Sequence, residues 1–236
     1  MAERIIELEV YLARHAESEG NVGHNGKKEV SFADREDPVL TQKGMRQAEL
    51  LGKRFKECPL DCIISSGYRR AVATSYEVVK AQCENGAKEI EILPILAETG
   101  TSFEYKGFSL EELKKDYPVK LAEGIVTDSL LVPSRGMDDY WNLERANRVW
   151  KYIRNRFSSG EKILVMAHGS FNTSLFLRAL NIPPQTGFDV AFTNTSVTKF
   201  VFFKKGTGDY GDDVKMMYHN ETSHLFEDFP EVTFMT

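Results

Sequence analysis

Short apolar runs separated by stretches of helical periodicity constrain this chain more than any other feature, and two of those runs end on a histidine. Ile6–Ala13 is rich in β-branched and aromatic residues and stops at Arg14-His15, while Ile163–Ala167 is continuously apolar and stops at His168-Gly169. Cys62–Ser66, closed by Gly67, is predicted as a buried strand, and Ile90–Leu96 as another. Val197–Phe203 and Val214–Tyr218 are expected as late strands joined through a Gly/Asp-rich turn. Helical spacing fills the intervals. Met45, Ala48, Leu51 and Phe55 share one face behind Thr41 as N-cap, and Pro59 ends that helix. Ala71, Thr74, Val78 and Ala81 do the same within Arg70–Cys83, and Trp141, Ala146, Val149, Trp150 and Ile153 within Asp138–Arg156. A further helix is expected over Phe171–Leu180. Ser109-Leu110-Glu111-Glu112 offers a capping box for a short helix ending at Pro118, and Asn21–Pro38 is expected as a long loop. Strands alternating with helices predict a three-layer α/β sandwich, with a mostly parallel central sheet flanked by helices.

No repeat or low-complexity linker divides the chain, so residues 1–236 are expected to form one domain. The balance of 30 Lys+Arg against 35 Asp+Glu, a net charge of −5, argues against nucleic-acid and membrane partners. No run approaches the roughly 20 apolar residues of a membrane span, and the segment Met1–Glu7 lacks the apolar stretch of a secretory signal. The three cysteines Cys58, Cys62 and Cys83 contain no CxxC pair, which fits a cytoplasmic protein with free thiols and no metal site.

The chemistry gathers at strand ends. In open α/β sheets ligands collect beyond the carboxyl ends of the strands. Arg14-His15 and His168-Gly169 follow two strands, and Ser65-Ser66 leads within a few residues to Arg69-Arg70. Taken singly, each histidine also suits a hydrogen-bonded structural role, and either arginine a solvated helix start. Brought together they make a compact cationic site, and a guanidinium fork matches phosphate oxygens in a way a lysine does not.

Four segments, in this order, resemble the histidine phosphatase superfamily, which includes the cofactor-dependent phosphoglycerate mutases. Leu12-Ala13-Arg14-His15-Ala16-Glu17-Ser18-Glu19-Gly20-Asn21 is similar to the family's Arg-His-Gly-Glu-Ser-x-x-Asn, with Ala16 where glycine is usual. Asp37–Gly44 resembles its Pro-Leu-Thr-x-x-Gly segment, and Ser65-Ser66-Gly67-Tyr68-Arg69-Arg70-Ala71 its Ser-Ser-Pro-x-x-Arg-Ala, with Gly67 in place of proline. Val165–Gly169 looks like the late His-Gly motif, and Asn194–Thr198 like the strand after it.

The resemblance implies a phosphoglycerate mutase-like fold and a set of roles. His15 would be the nucleophile that forms a phosphohistidine. Arg14, Arg70 and His168 would hold the phosphoryl oxygens, and Asn21 would reach the phosphate. Glu98 would give the leaving group its proton, with Glu104 as a second candidate. Arg14 beside His15 is expected to keep its imidazole neutral, whereas His168 is expected to act as an imidazolium. No metal or other cofactor is needed, because the arginines supply the positive charge.

These implications favour a phosphomonoester hydrolase whose small phosphorylated substrate is selected by the loop before Pro38 and by an insertion at about residues 99–133. Two alternatives stay open. One is a phosphoglycerate mutase-type phosphotransferase using Lys27, Lys28 and Arg35; the other is a non-catalytic phospho-ligand binder. His24 is a further candidate substrate contact, and a homo-oligomer is compatible with the sequence.

Overall fold

The structure, a computed structural model, describes residues 4–23, 29–132, 139–183, 190–205 and 214–231. The elements run β1 (Ile6–Arg14), α1 (Phe32–Glu36), α2 (Gln42–Phe55), β2 (Cys62–Ser65), α3 (Arg69–Ala81) and β3 (Ile90–Ile92). They continue with α4 (Leu110–Leu113), β4 (Val119–Leu121), α5 (Asp139–Arg156), β5 (Glu161–Ala167), α6 (Gly169–Ala179), β6 (Val197–Phe203) and β7 (Val214–Glu221). The strands form one sheet in the order β4-β3-β2-β5-β1-β6-β7. Its first five members are parallel, and β6 and β7 are antiparallel to their neighbours. This is the predicted three-layer, mostly parallel α/β sandwich.

Alternation along β1 explains the layers. Leu8, Val10 and Leu12 join the core beneath α5 and α6, whereas Tyr11 and Ala13 join the core beneath α2 and α3. Both faces of the sheet are therefore covered, and the central strands are apolar where they are buried, over residues 10–13 and 163–167. No described helix is long and apolar enough to cross a membrane.

Several boundaries differ from the expectations. The strand expected over Ile90–Leu96 stops at Ile92, because Pro94 has no N–H for a ladder; Pro94–Leu96 instead form a turn of 3₁₀ helix. β4 was not anticipated, as three residues carry too little periodicity. The expected loop before Pro38 contains α1, started by the Ser31 hydroxyl accepting the Asp34 N–H at 3.1 Å. Met45, expected on the inward face, is 53% exposed, because α2 buries Gln47, Ala48, Leu51 and Phe55. α3 ends two residues before Cys83, where Gln82 turns back to bond Leu60 and Phe55. α4 ends at Leu113, short of Pro118, although its capping box is present as expected. Cys58, Cys62 and Cys83 are free thiols.

Candidate active site

β1, β5 and β2 lie side by side and finish level, with Arg14 opposite Ala167 and Ser65 opposite Met166. Each ladder runs one residue further: His15 N–H donates to the Ala167 carbonyl at 3.0 Å and Ser66 N–H to that of Met166 at 3.0 Å. α3 and α6 start just beyond, carrying Arg70 and following His168. Residues remote in sequence thus share one edge of the sheet, and the His15 and His168 rings stand 5.1 Å apart.

The His15 tautomer follows from its two partners. The Ala16 carbonyl, 2.7 Å from Nδ1, can only accept, so Nδ1 carries the proton. The Arg70 Nε–H, 3.2 Å from Nε2, can only donate, so Nε2 holds the lone pair. Burial, then Arg70, then Arg14 hold the imidazole pKa well below its ordinary value. The neutral His15 expected from the sequence is present, with its lone pair on Nε2.

His168 corrects an expectation. It is fully buried, with Nε2 2.8 Å from the Ser66 hydroxyl and Tyr68 edge-on at 5.1 Å. Burial lowers its pKa well below the ordinary value, reinforced by Arg70, His15, Arg14 and Arg145. Burial first, and the surrounding cations after it, disfavour the imidazolium expected of His168.

Arg14 Nη1 donates to the Phe192 carbonyl at 2.6 Å. The Arg70 guanidinium lies 4.1 Å from the Tyr68 ring centre, and its Nη1 faces the buried Asp37 carboxylate at 3.6 Å. Arg14 Nε, Arg70 Nη1 and His168 Nδ1 are buried nitrogens with no hydrogen bond. Arg70 Nη1 has its ion pair with Asp37, whereas Arg14 Nε and His168 Nδ1 stand unpartnered within a cationic cluster, an arrangement that suits an anion rich in acceptors. Arg69 turns away, bonding Asp34 and Asp37.

Glu98 follows the 3₁₀ turn. Its Oε1 accepts the Thr99 and Phe171 N–H groups at 2.8 and 3.0 Å, and its Oε2 the Ser170 N–H at 3.4 Å. It lines a cleft of about 550 Å³ with Arg14, Ser170, Thr173, Phe192 and Asn194. Arg145, almost wholly buried, supports this turn by donating to the Ile95 and Ala97 carbonyls and stacking on Phe171. Glu104 is exposed and does not line the cleft.

Asn21 Oδ1 accepts from Ser18 N–H at 3.0 Å and from Asn194 Nδ2 at 3.4 Å. The same Asn194 Nδ2 donates to the His15 carbonyl at 2.9 Å, so Asn21 is tied to His15 through Asn194. Thr195, at φ 59°, turns the chain there, and its N–H binds the Arg14 carbonyl at 3.0 Å. A β-branched residue in the left-handed region costs on the order of 1–3 kcal/mol, the kind of strain found at functional sites.

Asp37, Tyr68 and Asn194 lie within the motif segments but have no role that the sequence alone indicates, and Arg145 lies outside those segments. An acid three residues before a motif leucine-threonine pair, and an arginine on the inward face of a helix, were the available signals. Arg35 is exposed in α1, and His24, Lys27 and Lys28 lie outside the described residues.

Two arginines and two histidines gather at the carboxyl edge of a mostly parallel α/β sheet. A model of the histidine phosphatase superfamily (branch 1) matches residues 10–208, and the chain belongs to that superfamily. A probable phosphatase of Schizosaccharomyces pombe is 33% identical over 171 residues, 72% of this chain; the match spans 55% of that relative, about half its length. A 2,3-bisphosphoglycerate-dependent phosphoglycerate mutase of Bartonella henselae is 25% identical over 178 residues, 73% of this chain and 81% of that protein. The crystal structure of phosphoserine phosphatase from Entamoeba histolytica with 3-phosphoglyceric acid is similar in fold, with a TM-score of 0.58 and 22% identity. It covers 92% of this chain and 99% of that one.

Proposed function

We propose that the chain is a metal-independent phosphomonoester hydrolase that works through a phosphohistidine at His15 on a small phosphorylated metabolite. The observation that carries this reading is the state of His15: neutral, protonated on Nδ1, with the Nε2 lone pair facing the Arg70 guanidinium. That is what attack on phosphorus requires of an imidazole. An entering phosphoryl group takes over the Arg70 Nε–H from His15, and Arg14 Nε and His168 Nδ1 offer further donors. The His15 Nε2–P bond forms as the ester P–O bond breaks, and the Glu98 carboxyl gives its proton to the departing oxygen. Glu98 then takes a proton from water, whose oxygen displaces His15 and leaves inorganic phosphate.

The cleft beside Glu98, about 550 Å³, is of a size for a small-molecule leaving group. On the same reading residues 1–236 are one cytoplasmic domain, with substrate choice made around residues 99–133. A mutase would pass the phosphoryl group to a second hydroxyl instead of water, and a binder would hold phosphate without turnover.

Phosphate release from a phosphometabolite panel, run beside a bisphosphoglycerate-dependent mutase assay, tests the reading. Hydrolysis with an acid-labile phosphoryl adduct trapped on wild type and absent from His15→Ala is expected. Full p-nitrophenyl phosphate hydrolysis by His15→Ala would remove it, and transfer without phosphate release would favour the mutase.

A further inference from the structure

Asp37 is a fully buried carboxylate that the reaction above does not use. Its Oδ1 and Oδ2 accept the Arg69 backbone N–H at 3.0 and 3.1 Å, and Oδ2 also accepts the Tyr105 hydroxyl at 3.4 Å. Tyr68, the N-cap residue of α3, supplies no side-chain cap, so Asp37 caps this helix from a distant segment. Oδ1 faces Arg70 Nη1 at 3.6 Å while Arg70 Nε donates to His15 Nε2 at 3.2 Å. One planar guanidinium therefore has its Nη1 toward Asp37 and its Nε on His15, with Tyr68 against its face. In a rigid fork, fixing one nitrogen sets the direction of the others.

We propose that Asp37 is the positioning residue of the phosphate clamp, its carboxylate orienting Arg70 and joining the clamp to the Tyr105 segment. The proposal rests on the phosphatase reading. The groups facing Asp37 are Arg69 and Arg70 of α3 and Tyr105 of the segment before α4; Asp34 of α1 bonds Arg69 instead. Burial pushes the Asp37 pKa up to about 6, against the pull of Arg70, Arg69 and Tyr105. As pH falls through that value Asp37 gains a proton and Arg70 loses the charge that orients it. His15, held well below its ordinary value, gives no acid limb at that pH.

The test measures kcat against pH with saturating p-nitrophenyl phosphate, orthovanadate affinity by calorimetry, and thermal stability, all on the full chain. Wild type is expected to lose activity as pH falls through about 6. Asp37→Asn is expected to lower kcat and vanadate affinity together at neutral pH, by about ten- to a hundred-fold, and to lack that limb. Tyr105→Phe, which removes one hydrogen bond to the carboxylate, is expected to move the limb to higher pH. Asp37→Asn with an unchanged limb and wild-type vanadate affinity overturns the proposal. If that variant does not fold, an unmoved limb in Tyr105→Phe overturns it alone. A wild type that binds vanadate without hydrolysing esters overturns the phosphatase reading only, and the two affinities then decide the role of Asp37. A wild type that neither binds nor hydrolyses overturns both.

Discussion

The Glu98 carboxylate accepts the Phe171 N–H at 3.0 Å, so the residue proposed to protonate the leaving group also caps the helix that His168 precedes. Asp37 does the same for α3, and neither helix has a side-chain cap from its own N-cap residue. Each helix that carries the phosphate site is thus tied to its partner segment by a carboxylate from elsewhere in the chain.

This double duty gives Glu98→Gln a recognisable signature. With alkyl phosphates, kcat should fall by about 10²–10⁴. With p-nitrophenyl phosphate, whose leaving group needs no proton, the loss should be much smaller. Weaker capping should cost on the order of 0.5–1 kcal/mol in denaturant melts. Glu104→Gln should behave as wild type; the reverse pattern would move the acid to Glu104.

Stability should decline on mild acidification. His15, His168, His219 and His224 all have folded pKa values below their ordinary value, chiefly through burial, with His224 at about 4. Below about pH 6.5 the unfolded chain binds more protons than the folded one, costing up to about 1.4 kcal/mol per pH unit for each histidine. Asp37 works the other way, since its folded pKa, about 6, lies above its ordinary value of 3.8. Its contribution is complete below the unfolded value and is lost as pH rises through the folded one. Denaturation midpoints should therefore be level above pH 6.5 and fall below it, more steeply in Asp37→Asn than in wild type. A flat profile from pH 7 to 5 would contradict the buried neutral histidines.

Gly67 stands where the related motif has proline, and its neighbour explains the difference. A Cβ there would lie 2.3 Å from the Leu130 carbonyl oxygen and 2.7 Å from the Leu130 Cβ. Beside it, Leu131 packs with Tyr68, Ala97 and Tyr105. Gly67→Ala should force the Leu130–Leu131 segment off Tyr68, costing about 1–3 kcal/mol and lowering kcat/KM. Urea titration and steady-state kinetics on the one variant would check both effects, and wild-type values in both would show that the segment is free to yield.

Chelation should leave hydrolysis untouched, because Arg14 and Arg70 place the positive charge that a metal supplies in other phosphoryl-transfer sites. Turnover measured before and after dialysis against EDTA decides this; loss that returns only with added Mg²⁺ would show that the arginines do not suffice.

The layers and helix faces were legible because burial imposes periodicity on the sequence, and the Thr41 and Ser109 caps because their chemistry is local. β4 and the short α1 were not, since few residues make few repeats. Arg14, His15, Arg70 and His168 stood out because charge at the end of an apolar strand is costly without a use. The state of His168 was not legible: it depends first on complete burial, and then on Arg145 as well as the arginines of the motifs, and only the folded chain supplies both. Asp37 was hidden for the same reason, its partners coming from three separate segments.

The order of the strands carries a consequence for how the protein is made. β1 pairs only with β5 and β6, between Glu161 and Phe203, and β5 is what separates β1 from β2. At about 5–20 residues per second, the first strand leaves the ribosome on the order of ten seconds before any partner exists. His15 and Ser66 have no common neighbour until β5 arrives. No nascent chain that lacks β5 can hold the clamp, and activity should appear in one step once β5 and β6 have emerged. During that interval an apolar strand waits unpaired, the stage at which capture by a chaperone or a second nascent copy competes with folding.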